Sequence, residues 1–93
     1  MMNRVDKIRA RLEESLALAH LHITDDSAAH AGHAGAAASG GGHFSALIVA
    51  TDFEGKTPVQ RHQLVYRVLG DLMRSDIHAL SITALTPSEY QQP

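Results

Sequence analysis

The sequence predicts an α/β (α+β) domain in which helices cover a mixed three-stranded sheet, in the order helix, strand, strand, helix, strand, helix. Three observations carry this prediction. Apolar residues recur at helical spacing in some segments and alternate in others. Two Thr-Pro dipeptides have the form of helix starts. The crossover joining the last two strands is long enough to bring them parallel, whereas the first two are close enough to pair as an antiparallel hairpin. At 93 residues the chain can build one modest core and not a second, so residues 1–93 are expected to form one domain.

From about Asn3 to Ala19, Val5, Ile8, Leu12 and Leu16 recur at helical spacing, while Arg4, Lys7 and Arg11 share another face. Leu21 and Ile23 alternate with His20, His22 and Thr24, the pattern of a short strand with one face on the core. Ser27 to Gly42 is then almost entirely Ala, Gly, Ser and His. It has no large apolar side chain to anchor it, and its five glycines predict a flexible hairpin loop over about 27–42. A strand follows over His43–Ala50. Phe44, Ala46, Ile48 and Ala50 lie on one face and Leu47 and Val49 on the other, which predicts a central strand covered on both sides.

Asp52 to Lys56 reads as a turn. Thr57-Pro58-Val59-Gln60 supplies a hydroxyl cap, a proline at the first helical position and a glutamine to close a capping box. The helix it opens carries the apolar stripe Leu64, Val65, Val68, Leu69 and Leu72 and should end near Arg74-Ser75. Ile77 to Leu85 is the third strand, and Thr86-Pro87-Ser88-Glu89 repeats the capping pattern for a short terminal helix.

Composition narrows the function. The chain has no cysteine, which excludes a disulfide framework, a thiol nucleophile and an all-thiolate cluster of its own. A net charge of −2 provides no general basic field, so any nucleic-acid contact would need a local patch. With two Phe and two Tyr and no Trp, a stacking platform for single-stranded bases is not expected. The longest apolar run, Ala46–Ala50, is far too short to span a bilayer. The N-terminus is polar and charged from Asn3 onward, so a cytoplasmic protein with no membrane association is expected. No P-loop, no H-E-x-x-H and no serine with a credible base is present, and the chain is not expected to be an enzyme.

Several short motifs resemble the signature of the BolA family, in that family's order: Thr24-Asp25-Asp26-Ser27, His43-Phe44, Phe53-Glu54-Gly55-Lys56, Arg61-His62-Gln63-Leu64-Val65-Tyr66 and Ile77-His78-Ala79-Leu80. Each is weak alone; together they are specific, and they cover roughly residues 3 to 90. The resemblance implies a fold related to class II KH domains. It also implies partnership with a monothiol glutaredoxin and glutathione around a shared 2Fe–2S cluster, with no cofactor on the chain alone. Family members are further described as DNA-binding regulators linked to stress and cell shape.

In the cluster mode the partner and glutathione supply thiolates, while the BolA-like chain supplies the histidine of I-H-A-L and a histidine or cysteine of the hairpin loop. The first is His78. Taken by its chemistry alone, a single histidine beside apolar residues is more often structural; the motif makes it the leading ligand. The second must be a histidine: His30 best matches the family's position, His33 follows, and His43 ranks below both. Exchanging an anionic thiolate for neutral imidazole lowers cluster charge and raises the reduction potential. The imidazole must be unprotonated to bind. Two histidines on one chain cannot hold a cluster unaided, so a partner is required.

His20 and His22 share a strand face, where plain solvation explains them better than metal binding. A DNA-binding regulator is the alternative, acting through Gly55, Lys56, Arg61 and His62 at the start of the second helix. It is weakened by the absence of the G-x-x-G turn with which a KH domain grips its backbone. The neighbouring Asp52, Asp71 and Asp76 weaken it further. A divalent-metal buffer built on the histidine-rich loop is a third reading.

Overall fold

The computed structural model describes residues 2–27 and 42–91. Helix α1 (Arg4–Ser15) leads into strand β1 (Leu18–Asp25). Strand β2 (Gly42–Ala50) is followed by a 3-10 turn (Thr51–Phe53), helix α2 (Pro58–Leu69) and a second 3-10 turn (Gly70–Met73). Strand β3 (Ile77–Leu85) and helix α3 (Pro87–Gln91) complete the order. The strands lie β1-β2-β3, with β1 antiparallel and β3 parallel to the central β2. The mixed sheet and the element order are as predicted.

All three helix starts are fixed by side chains. The Asp6 amide donates to Asn3 Oδ1 at 2.8 Å, and Asp6 returns a carboxylate to the Asn3 amide, a cap the sequence reading missed. The Thr57–Gln60 and Thr86–Glu89 boxes form as expected: the Gln60 amide donates to Thr57 Oγ1 at 3.2 Å and the Glu89 amide to Thr86 Oγ1 at 3.2 Å. Helix α1 stops at Ser15, short of the predicted Ala19, because β1 claims the chain from Leu18 by pairing with Ala50. Between them the Ala17 amide donates to Asp52 Oδ1 at 2.7 Å, locking the turn.

Helices α1 and α2 pack on one face of the sheet, and the core lies between. Ile8 and Leu12 from α1 meet Phe44, Ile48, Val65 and Leu69, all fully buried or nearly so. Phe53 is also fully buried, so the aromatic residue of the predicted turn is a core side chain worth roughly 2–3 kcal/mol of transfer free energy. Arg11 Nη1 donates to the Leu69 carbonyl at 3.0 Å and pairs with Asp71, tying α1 to the end of α2.

The other sheet face is covered only at one end. Helix α3 folds back onto β2 and β3, Tyr90 stacks on His20 with ring centres 5.2 Å apart, and Val49 is fully buried there. Further along, Leu47 is half-buried beside His22, Thr24, Ser45, Ser81 and Thr83 in a shallow cavity of about 250 Å³. The prediction that β2 is covered on both faces therefore holds at Val49 and not at Leu47. Among the described residues no helix is long and apolar enough to cross a membrane.

Candidate functional site

The end of the sheet where β1 finishes and β2 and β3 begin carries the candidate site. Ile77 turns into the core at 3% exposure, and the pairing of β3 with β2 then slips: Gly42 faces Ile77 but His43 faces Ala79. His78 is the extra residue of this bulge. A bulge re-aims the side chain it carries. Here it leaves His78 exposed on the open sheet face, with its ring 5.1 Å from that of His43, centre to centre, at a tilt of 46°. Among the described residues the His78 imidazole has no hydrogen-bond or ion-pair partner.

The surrounding motif residues hold this geometry. The His43 amide donates to Ser27 Oγ at 3.1 Å, and the His43 carbonyl accepts from the Asp26 amide at 2.7 Å. The Ser27 amide donates to Asp25 Oδ1 at 2.9 Å, and the Ser27 hydroxyl, with this amide second, lowers the Asp25 carboxyl below its usual range. Ser45 Oγ donates to Asp26 Oδ2 at 2.5 Å. The Gly42 amide donates to the Asp76 carbonyl at 3.1 Å. Asp76 is itself held low by the Lys7 ammonium at 3.0 Å and the Ser75 hydroxyl.

Gly42 sits at the predicted margin of the loop but belongs to β2, and nothing larger fits: a Cβ there would lie 2.7 Å from the Phe44 ring and 2.9 Å from Ser27 Oγ. The predicted ligands His30 and His33 lie outside the described residues. The segment bearing them departs after Ser27 and returns at Gly42, and both ends flank the His43–His78 pair. His43, ranked last from sequence, is the histidine that the fold places beside His78. Spacing could not reveal this, because the bulge sets which β3 residue comes alongside. His20 and His22 share the open face as predicted; His20 is engaged by Tyr90, and His22 lines the shallow cavity.

The residues of the nucleic-acid alternative separate into two sets. Gly55, at φ +78°, and Lys56 lie on an exposed turn. Lys56, Gln60, Gln63, Leu64 and Arg67 line an open cavity of about 440 Å³ along α2. Gln60 and Gln63 were missed from sequence, although 56, 60, 63 and 67 follow helical spacing. His62 is half-buried. Arg61 points away from this surface. Its Nε donates to the Lys56 carbonyl at 2.9 Å and its Nη1 to the Ala84 carbonyl at 3.0 Å, and the guanidinium grips Glu89 at 2.6 and 3.2 Å. That grip, with the Thr86 amide, draws the Glu89 carboxyl down to about 2. Arg61 thus joins α2, β3 and α3, and its donors are spent within the fold.

Among the described residues no three His, Asp or Glu side chains converge as a metal site.

Comparison with known proteins gives a consistent picture. The family model described as BolA-like protein matches residues 12–89. Protein BOLA1, chloroplastic, of Arabidopsis thaliana is 43% identical over 89 residues, covering 94% of this chain and 56% of the relative. The DNA-binding transcriptional regulator BolA of Haemophilus influenzae is 41% identical over 49 residues, covering 53% of this chain and 48% of that protein. The solved BolA domain of SufE1 from Arabidopsis thaliana superposes with a TM-score of 0.80 at 42% identity, covering 96% of this chain and 98% of that one. SufE-like protein 1 as a whole is covered over 24% of its length, so the chain spans from a quarter to little more than half of these relatives.

Proposed function

The chain belongs to the BolA-like family, and on that premise we propose that it acts by binding partners and not as an enzyme. The partner is a monothiol glutaredoxin with glutathione, and the two proteins share a 2Fe–2S cluster ligated on this side by His78 and a histidine of the β1–β2 connection, His30 before His33. The observation that carries this reading is the position of His78: an exposed imidazole with no hydrogen-bond partner among the described residues, re-aimed by a bulge, at the point where the histidine-bearing segment leaves and re-enters the sheet.

The donor set fits half a cluster. There is no cysteine, and His78 with one histidine of the β1–β2 connection supplies two ligands, whereas a 2Fe–2S cluster takes four protein or thiol ligands. The missing ligands must come from a partner, which supports a shared cluster over one held by this chain alone. The role that follows is iron–sulfur trafficking or iron and stress signalling, with the cluster as cargo and the cytoplasm as the compartment. This chain's task is to present His78. The bulge aims the ring, Gly42 lets β2 start against Phe44 and Ser27, and the hydrogen bonds of Asp25, Asp26 and Ser27 keep the two ends of the hairpin together.

The test is to mix the protein with a monothiol glutaredoxin, glutathione, iron and sulfide and follow visible absorption and circular dichroism. A mixed complex whose spectrum differs from that of the glutaredoxin alone is expected; failure to form any mixed complex overturns the reading.

A second reading has its own support. Lys56 and Arg67, with Gln60 and Gln63, line an open cavity suited to phosphate oxygens, and one relative is by name a DNA-binding regulator. It has lost Arg61 to the fold, and few cations remain to supply affinity. Weak, strongly salt-dependent DNA retention is expected; tight sequence-specific binding at physiological salt would raise this reading above the first.

A further inference from the structure

We infer that the outer edge of β3 is a self-association surface, through which two copies of this chain pair antiparallel over Ala79–Thr83 about a two-fold axis at Ser81. The directions of the backbone groups carry the inference. The Asp26 amide donates to the His43 carbonyl, so His43 and the alternate residues after it turn their backbone groups toward β1. Phe44, Ala46 and Ile48 therefore turn theirs toward β3. In the parallel register that sets Phe44 beside Leu80, they bond to Ala79, Ser81, Thr83 and Leu85. The N–H and C=O groups of Leu80, Ile82 and Ala84 consequently point outward, where no strand lies among the described residues. Arg61 Nη1 meets the Ala84 carbonyl at 3.0 Å. Leu80 and Ile82 keep their amides and carbonyls open at the edge, and such groups bind another extended backbone.

The shape of this window selects a second copy as its occupant. The bulge at His78 ends it on one side and Arg61 ends it on the other, and the open groups between them are symmetric about Ser81. A copy turned end for end sets Leu80 against the copy's Ile82 and Ile82 against its Leu80. Each such pair exchanges both N–H···O bonds, and none of these groups is left over. Charge does not oppose the pairing: Ile77–Leu85 contains no Lys, Arg, Asp, Glu or Pro, the residues that commonly blunt an exposed edge. Leu80 and Ile82 are half-buried against the core, so the junction continues that apolar face from one copy to the next. The opposite edge suits self-pairing less, because β1 carries Asp25 and a two-fold axis at its centre would set one His22 against the other. Ala79–Thr83 on each side buries well under the roughly 800 Å² per partner of a stable interface, so the dimer is weak and forms at high concentration.

The inference needs neither a glutaredoxin nor a cluster, so it stands or falls apart from that reading. The full chain alone is followed by sedimentation at concentrations rising to about 1 mM, where a reversible monomer–dimer equilibrium is expected. The amide NMR signals of Leu80 and Ile82 should move with concentration, and those of Leu21 and Ile23 should not. Ser81 is exposed, so Ser81→Lys and Ser81→Glu should each keep the wild-type circular dichroism spectrum. Each should weaken self-association by about threefold or more, because like charges then oppose across the axis, and an equimolar mixture of the two should restore it. The chain has no cysteine, so Ser81→Cys gives a clean cross-link. Its Cα would lie about 4.5 Å from its counterpart, within disulfide reach, and mild oxidation should yield a covalent dimer faster than with Val59→Cys on the exposed side of α2. A chain that stays monomeric at about 1 mM overturns the assignment and favours a strand of another protein as the occupant. So does a dimer that both charge variants leave intact, a mixture that fails to restore association, or cross-linking of Val59→Cys as fast as that of Ser81→Cys.

Discussion

Where β3 ends, Arg61 spends its donors on two carbonyls and the Glu89 carboxylate, and Thr86 and Glu89 cap α3 with their own backbone bonds. Where β3 begins, His78 is exposed and has no hydrogen-bond partner among the described residues, although the backbone around it is as closely tied. At one end of the sheet an arginine is spent on closing the fold; at the other, Asp25, Asp26 and the Lys7–Asp76 pair tie the chain together and His78 stays exposed. A motif residue can therefore be engaged by the fold or left exposed: in R-H-x-x-V-Y the arginine is held by Ala84 and Glu89, whereas in I-H-A-L the histidine is exposed.

The comparison breaks most sharply at His78. Because its ring lies outside the core, His78→Ala should leave stability within about 0.5 kcal/mol of wild type. It should nevertheless abolish the spectral change that marks a mixed cluster with glutaredoxin, since nitrogen ligation at iron is lost. Thermal unfolding paired with visible absorption checks both halves; a variant that forms the wild-type mixed cluster removes His78 from the ligand set.

Gly42→Ala should couple the two kinds of role. A methyl group 2.7 Å from the buried Phe44 ring forces the ring or the strand to move, at a cost of about 1–3 kcal/mol. The start of β2 carries His43, so mixed-complex formation should weaken as well. Denaturant unfolding alongside complex formation tests this, and an unperturbed variant would mean that the hairpin end yields more easily than its packing indicates.

At the opposite end, Arg61→Ala should cost about 1–2 kcal/mol through its lost bonds to the Lys56 and Ala84 carbonyls, with no change in cluster chemistry. Its effect on DNA retention, measured at low salt, should be smaller than that of Lys56→Ala paired with Arg67→Ala. The reverse ranking would return Arg61 to the nucleic-acid surface.

The smallest effect is in acid. The Glu89 carboxyl is lowered in the fold to about 2 from an ordinary value of 4.5, so it contributes stability above about pH 4.5 and loses it as pH falls toward 2. Glu89→Gln should be less stable than wild type at pH 6, with the gap closing between pH 4.5 and 2. A gap that stays constant through that window would show that the Arg61–Glu89 pair contributes little.

The helix starts were legible in the sequence because a capping box is local: Thr57 meets Gln60 and Thr86 meets Glu89 within one turn, whatever the rest of the chain does. The apolar stripes of α1 and α2 and the alternation in β1 and β2 were legible because burial imposes the period of each element. Parallel pairing of β2 with β3 followed from the length of their connection. The motifs placed the chain in its family and singled out His78. The early end of α1 was hidden, since it depends on Leu18 finding Ala50 and Ala17 finding Asp52, more than thirty residues on.

Only the tertiary structure decided which polar residues are spent and which are left. Arg61 and Lys56 look alike in sequence, both basic and near a helix start, yet the guanidinium of one is turned inward by Ala84 and Glu89 from a distant strand and helix. His43 and His78 are far apart in the chain and become neighbours through the parallel pairing of β2 with β3, which no local spacing encodes. Local hydrogen bonding and burial period are properties of a segment and can be read from its residues. The partners of a side chain are set by the packing of segments against one another, and at the two ends of this sheet that packing engages Arg61 and leaves His78 exposed.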